Sequence, residues 1–225
     1  KSIKNSLTNI SEHQHENGRY NVTGNINNLR ASLHEHGISL KGSISKYFLN
    51  DNYQTLSRSD TNRAIEKLSD EIHLPLEKAQ ISRLDFAVNH IMKQKPEQYY
   101  PFLGECQYFD RQPLDNSLYY HGTHKQKLFY NKIAEGKKSG LQIPEIWNNC
   151  NILRYEMRYK QRIGRHFKLD NVTLSSLSNE GFYTMIFDDW LKQYNSINKI
   201  RNFNLNHDIM KSPKDFWKQM QILTI

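Results

Sequence analysis

The residues best suited to chemistry lie in segment 127–135, which reads KLFYNKIAE. In a β-strand, where successive side chains alternate between faces, Leu128, Tyr130 and Lys132 would share one face. A phenol and an ammonium group two residues apart can contact the same phosphate, and Glu135 follows just past the predicted strand end. Tyrosine needs such help to act as a nucleophile, because its unperturbed pKa is about 10. The alternative is an ordinary tyrosine beside a solvated lysine.

Three acidic residues, Asp85, Glu135 and Glu156, are notable for their positions. Asp85 lies on a predicted strand whose other face is apolar, and Glu156 is the only acid in a row of cations on another strand. Carboxylates converging from one sheet would form a site for Mg²⁺ or Mn²⁺ with positions open for phosphate oxygens. Such an ion would polarise the phosphodiester that Tyr130 attacks, while Lys132 stabilises the phenolate or the phosphorane. For each acid, the alternative is a salt bridge to a neighbouring arginine.

The composition favours a polyanionic partner. The chain has 225 residues with a net charge of +8, and its pI is near 9.3; nucleic acid is the commonest soluble polyanion. Aromatic residues, 12% of the chain, are interleaved with the basic ones. This pattern suits single-stranded nucleic acid, although a sheet with a buried aromatic face and a solvated cationic face would also produce it. The basic residues predicted to contact DNA are Arg83, Lys127, Arg154, Arg158, Lys160 and Arg162.

Membrane and secreted classes are disfavoured. No apolar run approaches the ~18 residues that cross a bilayer, and no signal peptide is visible, so we predict no membrane contact and a cytoplasmic location. The two cysteines, Cys106 and Cys150, lack metal-type spacing. Both are predicted to be free thiols in a reducing compartment.

A sheet is needed to position these residues. Alternating polarity predicts strands over 20–28, 38–44, 77–90, 114–120, 126–132 and 152–160, with the first two adjacent and antiparallel. Helical periodicity predicts helices over 59–72 and 96–103, past Leu177 and from Ser212; in the third, Phe182, Met185, Ile186 and Trp190 share a face. The first twenty residues are predicted to be loose or extended, and 135–144 a loop. We therefore predict an α+β fold, with a largely antiparallel central sheet flanked by helices and with C-terminal helices.

Three short motifs occur in order along the chain: Arg83-Leu84-Asp85-Phe86-Ala87, Tyr130-Asn131-Lys132-x-x-Glu135 and Arg154-Tyr155-Glu156-x-Arg158. Together they resemble those of rolling-circle replication initiators, both the gene II proteins of filamentous phages and the staphylococcal plasmid initiators. These families carry an R-[IL]-D strand, a Y-x-K-x-x-E segment and a [RV]-x-E-x-[RE] strand. The stretch Leu40-Lys41-Gly42-Ser43-x-x-Lys46 also resembles a strand of the phage-type members. The resemblance covers about residues 20–170.

The resemblance implies roles for individual residues. Tyr130 would be the nicking tyrosine, Lys132 matches the lysine that follows it in the family, and the three acids, Asp85, Glu135 and Glu156, would hold the metal. A departure occurs at Asn89-His90, where some plasmid members carry a second acid. Whether His90 or Asn89 replaces a ligand therefore remains open.

The implied function is replication initiation by metal-dependent, site-specific nicking and joining of single-stranded or hairpin origin DNA through a covalent 5′-phosphotyrosine intermediate. The expected cofactor is Mg²⁺ or Mn²⁺, the expected partners are origin DNA and a host helicase, and the expected location is the cytoplasm of a bacterial host. Residues 1–171 would form the nicking and joining domain. Residues 172–225 would form a C-terminal helical segment packed on it, or the start of a further region.

Two other functions stay open: a relaxase or transposase with the same chemistry, and a non-catalytic DNA-binding module whose acids are structural. Histidine-hydrophobe-histidine nickases are disfavoured, because His13-Gln14-His15 and His34-Glu35-His36 have polar centres in loop-like surroundings. A tyrosine recombinase would place its tyrosine near the C-terminus, whereas Tyr130 is mid-chain. His121 and His124 precede the Tyr130 strand and would contact DNA, carry protons, or be exposed turn residues.

Overall fold

The computed structural model describes residues 3–14, 20–35, 37–200 and 212. They form two units: the first contains the described residues up to Ile81 together with Asn171–Thr184, and the second contains Ser82–Asp170 and the described residues from Met185 onward. The sheets of both units are antiparallel and are accompanied by helices, which confirms the predicted α+β class. The assignment of nicking activity to residues 1–171 stays a prediction.

The first unit contains a four-stranded sheet in the order β1-β2-β3-β4. Its strands are β1 (Thr8–Gln14), β2 (Tyr20–Ile26), β3 (Leu29–His34) and β4 (Gly37–Lys41), and its helices are α1 (Ile44–Leu49) and α2 (Arg58–Ile72). Alternate side chains of β2 and β3, among them Ile26 and Ala31, form a core with Ile65, Leu68 and Ile72 of α2. A capping box between Ser57 and Asp60 fixes the start of α2.

Two predictions for this unit were wrong in detail. β3 lies between the strands predicted at 20–28 and 38–44, so these two are not neighbours. The second of them ends at Lys41, because Ser43 caps α1 and Ile44 is already helical. Residues 8–14, predicted to be loose or extended, form a strand in which every residue is exposed. A strand with no buried face has no apolar alternation that the sequence could reveal.

The second unit is built on a five-stranded sheet in the order β5-β10-β9-β8-β7. The strands are β5 (Leu84–Met92), β7 (Asp110–Leu114), β8 (Ser117–His121), β9 (Lys125–Asn131) and β10 (Asn151–Tyr159), and β6 (Leu103–Cys106) pairs with β11 (Ile197–Lys199) in a small separate sheet. The helices are α3 (Lys132–Lys138), α4 (Ile163–Phe167) and α5 (Glu180–Asn195), the last of which begins in the first unit.

One face of the five-stranded sheet is aromatic and packs against the part of α5 that belongs to the same unit, from Met185 onward. Phe129 of β9 stacks on Tyr155 of β10 with ring centroids 4.5 Å apart, and Trp190 of α5 lies 4.7 Å from Tyr155. Of the four residues predicted to share a face of α5, Phe182, Ile186 and Trp190 are buried, whereas Met185 is exposed. The opposite face carries the polar side chains described below.

The connection from β9 to α3 differs from the prediction. The strand ends at Asn131, whose side-chain oxygen accepts hydrogen bonds from the backbone N–H groups of Ile133 and Ala134 and so caps α3. Lys132 is therefore the first residue of a helix, and the predicted loop 135–144 begins as helix. The predicted helix over 96–103 is a pair of 3-10 turns, Pro96–Gln98 and Tyr100–Phe102.

His15 and His36, which belong to the two disfavoured histidine motifs, lie outside the described residues, as does the helix predicted from Ser212 apart from Ser212 itself. Among the residues that the structure does describe, no helix is both long enough and apolar enough to cross a membrane.

Candidate active site

Antiparallel register places the three motifs on one face of the five-stranded sheet, the face opposite α5. Arg154 of β10 lies between Tyr130 of β9 and Asn89 of β5, and Arg158 lies opposite Asp85. Directly opposed residues of neighbouring strands share a face, as do residues two apart on one strand, so Glu156 joins them. Pairing of β10 with both flanking strands thus gathers residues that are far apart in the sequence.

Tyr130 and Glu156 form the central contact of this face. The Tyr130 hydroxyl donates a hydrogen bond of 3.1 Å to Oε2 of Glu156, and only 7% of the Glu156 side chain is exposed. Burial raises the pKa of Tyr130 well above its ordinary value of 10, and the negative charges of Glu156 and Glu135 raise it further, against the opposing effect of Arg154. The phenol is therefore protonated at neutral pH, and the group that accepts its hydrogen bond is a carboxylate.

Arginines neutralise the acids on this face. Arg158 Nε lies 2.6 Å from Oε1 of Glu156 and 3.7 Å from Oδ2 of Asp85, so a single guanidinium group bridges two carboxylates. Arg83 makes two hydrogen bonds to Asp85, of 2.9 and 2.8 Å. Arg154 Nε lies 3.5 Å from Oε2 of Glu156. Three of the predicted DNA contacts thus line the candidate site, where they pair with the acids of the motifs.

Lys132 and Glu135 lie on α3 and not on the strand. The Lys132 side chain is fully buried, and its Nζ donates a 2.6 Å hydrogen bond to Oε2 of Glu135, one helical turn away. The prediction that Lys132 shares a strand face with Tyr130 was wrong, because the strand ends one residue earlier than predicted, at Asn131, which caps α3. Glu135 is nevertheless close enough to Tyr130 for its charge to raise the pKa of the phenol.

The predicted three-carboxylate metal site is not assembled. No three His, Cys, Asp or Glu side chains in the described part of the chain are grouped so that they could hold a metal ion. Asp85 and Glu156 do converge on one positive group, the Arg158 guanidinium, and their hard oxygen atoms suit Mg²⁺ or Mn²⁺. Glu135 instead contacts Lys132. The donors thus fit a divalent ion as a pair but not as a triad.

Two predicted site residues, Lys127 and His90, lie on the opposite face. Lys127 is fully buried, and its Nζ donates hydrogen bonds to Sγ of Cys106, Oγ of Ser196 and the backbone oxygen of Gln193 at 2.8–2.9 Å. His90 stacks on Trp190 with ring centroids 6.0 Å apart, and burial lowers its pKa. Neither side chain therefore faces Tyr130, which does not fit the predicted DNA contact of Lys127 and disfavours the open possibility that His90 is a metal ligand.

The remaining predicted residues lie at the edges of the site. His121 is on the Tyr130 face, and its ring contacts Gln112 of β7 and Gln126 of β9 at 2.8 and 2.7 Å. His124 is in the β8–β9 connection, where its backbone oxygen accepts a 2.9 Å hydrogen bond from the N–H of Lys160.

Lys160, which follows β10, is half-buried, and Arg162 is exposed. Sequence reasoning missed Tyr119, Gln112 and Gln126, which share the site face. Gln112 belongs to β7, a strand with one half-buried residue and no apolar alternation. The alternation of β8 and β9 is the signal from which Tyr119 and Gln126 could have been assigned to this face.

Comparison with known proteins assigns the chain to a family. No curated protein matches the chain. The family model for the N-terminal region of the replication-associated protein of filamentous-phage gene II matches residues 9–179, more than half of the chain and the whole of the five-stranded sheet. The three motifs that predicted a rolling-circle initiator all fall inside the match. The chain therefore belongs to this gene II replication-associated protein family and is a rolling-circle replication initiation protein.

Proposed function

We propose that this protein nicks and rejoins single-stranded origin DNA through a covalent bond between Tyr130 and the 5′ phosphate of the cut strand. The observation that carries the proposal is the 3.1 Å hydrogen bond from the Tyr130 hydroxyl to Glu156, on a sheet face lined by arginines. A nucleophile, a proton acceptor and phosphate-binding cations are the groups that this transesterification requires.

In the proposed step, the Tyr130 oxygen attacks the scissile phosphorus while its proton passes to Glu156. The bond between phosphorus and the 3′ oxygen of the preceding nucleotide breaks. That oxygen takes a proton from water and becomes a free 3′ hydroxyl, and Glu156 returns to the water the proton that it accepted from Tyr130. Joining is the reverse reaction, with the 3′ hydroxyl as nucleophile and Tyr130 as leaving group. A base is needed because the raised pKa of Tyr130 leaves almost no phenolate at neutral pH.

Arg154 and Arg158 are suited to a further role once DNA is present. Each already contacts Glu156, and a guanidinium group can bind a carboxylate and a phosphate with separate N–H groups. We propose that they contact the phosphate oxygens next to Tyr130 and stabilise the charge that develops in the transition state. Arg83, Lys160 and Arg162 would contact further phosphates along the DNA strand.

We propose that the reaction uses Mg²⁺ or Mn²⁺, with Asp85 and Glu156 as the residues that would hold the ion. When bound, such an ion would polarise the scissile phosphodiester. It would compete with the Arg158 guanidinium for the same two carboxylates, so we expect metal binding to be weak without DNA.

The test is a denaturing gel of protein incubated with single-stranded oligonucleotides from its own replicon and Mn²⁺. We expect wild-type protein to give a DNA-linked band, Tyr130→Phe to give none, and both to bind the oligonucleotide with similar affinity. Tyr183→Phe, which removes a hydroxyl from the exposed face of α5, is the matched control and should give the wild-type band. Equal bands from wild type and Tyr130→Phe would assign the nucleophile elsewhere.

The second candidate is a non-catalytic origin-binding module. It is favoured by one observation, the pairing of Asp85 and Glu156 with arginines, which satisfies these acids without any reaction. This candidate would be supported if wild type and both variants bind the oligonucleotide and none of them forms a covalent band. A relaxase or transposase would give the band on DNA of a different element. A host helicase as partner remains a proposal that copurification would test.

A further inference from the structure

Two aromatic rings share the sheet face of the candidate nucleophile. Tyr119 and His121 are two residues apart on β8, and their cross-strand partners on β9 are Leu128 and Gln126. Leu128 in turn lies opposite Glu156. Tyr119 is thus two strands from the carboxylate that accepts the Tyr130 hydrogen bond, about 10 Å at the usual spacing of strands.

The two rings are nearly parallel and held in place. Their centroids are 5.6 Å apart and their planes differ by 7°. The His121 ring is fixed at both nitrogens, because its Nε2 contacts Oε1 of Gln112 at 2.8 Å and its Nδ1 contacts Nε2 of Gln126 at 2.7 Å. Glutamines on both flanking strands therefore set the plane of His121, and this plane supports Tyr119. Both nitrogens are occupied, which leaves His121 poorly placed to carry protons.

Tyr119 differs from the structural tyrosines of the same sheet. Tyr120, Tyr155 and Tyr159 are fully buried, and each donates its hydroxyl to a protein oxygen, at 2.7, 3.3 and 2.8 Å respectively. Tyr119 is only half-buried, and its hydroxyl has no hydrogen-bond partner within the described ranges of the chain. Part of the Tyr119 side chain is therefore accessible on the face that carries Tyr130.

We propose that Tyr119 and His121 form a stacking platform for an unpaired base of the DNA strand whose phosphate lies at Tyr130. The proposal rests on the proposed function, since it assigns a binding position to the same substrate. Aromatic rings beside phosphate-binding cations are the usual means of holding single-stranded DNA, and Arg158 lies opposite Gln126 on the neighbouring strand. A base in a duplex has no free face for such a platform, so the site selects melted DNA.

The experiment measures binding in the Tyr130→Phe background, where no covalent step occurs. Its probe is a single-stranded oligonucleotide from the replicon with 2-aminopurine at successive positions. We expect Tyr119→Leu to weaken single-strand binding about tenfold and to remove the fluorescence quenching at one position. Binding of a duplex of the same sequence should be unchanged. Tyr119→Phe keeps the ring and should bind as Tyr119 does, and Tyr108→Leu, at an exposed tyrosine of a turn, is the matched control.

The salt dependence of DNA affinity distinguishes the loss of a stacking contact from the loss of contacts between basic residues and phosphates. Stacking releases no counterions, so Tyr119→Leu should shift affinity by the same factor at every salt concentration. An oligonucleotide that lacks the quenched base should bind equally well to the proteins with and without the Tyr119→Leu substitution. The proposal would be overturned if Tyr119→Leu leaves the affinity for single-stranded DNA unchanged, even if wild-type protein forms the covalent band. If Tyr119→Leu weakens single-strand binding but wild-type protein forms no covalent band, the stacking platform would stand and the proposed nicking reaction would be overturned.

Discussion

At the scale of single residues, the pairing of Tyr130 with Glu156 makes a prediction about the carboxylate. Glu156→Gln keeps the size of the side chain but removes the proton acceptor and its negative charge. We expect formation of the covalent adduct in single-turnover assays to slow by about 10²–10⁴-fold, the usual contribution of a general base. DNA binding should persist, because the substitution removes a negative charge from a surface that binds an anion.

The same variant has an independent spectroscopic consequence. A carboxylate is a stronger hydrogen-bond acceptor than an amide oxygen, so Glu156→Gln should weaken the hydrogen bond from the Tyr130 hydroxyl. The ¹³Cζ resonance of labelled tyrosine at neutral pH, assigned to Tyr130 by its absence in Tyr130→Phe, reports this hydrogen bond and should move upfield. An adduct rate equal to wild type, or an unmoved ¹³Cζ resonance, would contradict the role assigned to Glu156.

Arg158 gives a prediction about metal. Its guanidinium bridges Asp85 and Glu156, and Arg158→Gln removes a positive charge that competes with a divalent ion. We expect this variant to bind Mn²⁺ more tightly than wild type in electron paramagnetic resonance titrations without DNA, and to bind single-stranded DNA more weakly. Arg165→Gln, at an exposed arginine of α4, is the control. Unchanged Mn²⁺ affinity would show that the two carboxylates do not hold the ion.

At the scale of elements, Asp189 connects α5 to the sheet and to α4. Its Oδ2 accepts hydrogen bonds from Tyr159 of β10 and His166 of α4 at 2.8 and 2.9 Å. Burial alone would raise the pKa of Asp189, but these hydrogen bonds and the nearby positive charges outweigh it and lower the pKa from 3.8 to about 2. The carboxylate is therefore more acidic in the folded protein than in the unfolded chain.

A lowered pKa stabilises the fold above the unfolded value and ceases to do so as pH falls through the folded value. Between pH 4 and pH 2, we expect wild type to lose about 2 kcal/mol of unfolding free energy that Asp189→Asn does not lose. Urea denaturation at several pH values measures this difference. Asp188→Asn, at the exposed neighbour, should follow the wild-type curve. Parallel curves for wild type and Asp189→Asn would refute the assignment.

Elements also show how far sequence reasoning reaches. The strands around Asp85, Tyr130 and Glu156 were predicted because apolar and polar residue types alternate along them, and alternation is visible in sequence. The first of these strands begins at Leu84 and not at the predicted residue 77. The end of β9 was not predictable in this way. Lys132 continues the strand alternation, and the helix start depends on the conformation of Asn131, whose side chain turns back onto the backbone.

The ion pairs of the site could not be predicted from the sequence for a different reason. Arg158 contacts both Asp85 and Glu156 because β5 and β10 pair in one register, and a shift of one residue would move Asp85 to the other face. The sequence offered a metal triad and salt bridges as alternatives. The geometry shows the salt bridges, while a role for metal remains to be tested.

At the scale of the whole molecule, the net charge is +8, but only some of the basic side chains are exposed and able to contact DNA. Arg162 is exposed, whereas Lys127 is buried beneath α5 and contacts Cys106. Each phosphate contact contributes about 0.7 to the slope of log affinity against log salt for single strands. Arg162→Gln should therefore reduce that slope by about this amount, and Lys127→Met should leave it unchanged. Fluorescence anisotropy at several salt concentrations measures both, and a reduced slope for Lys127→Met would contradict its burial.

The complete burial of Lys127 and Lys132 also makes them sensors of the folded state. An amine-specific acylating reagent reacts readily with exposed lysines but reaches these two only when the sheet or α3 opens. Mass spectrometry of peptides containing them would thus report unfolding at the candidate site in any variant, with DNA, metal or neither present. The two lysines lie on either side of Tyr130 in the sequence, so a single peptide can show whether a variant that has lost activity has also lost its fold.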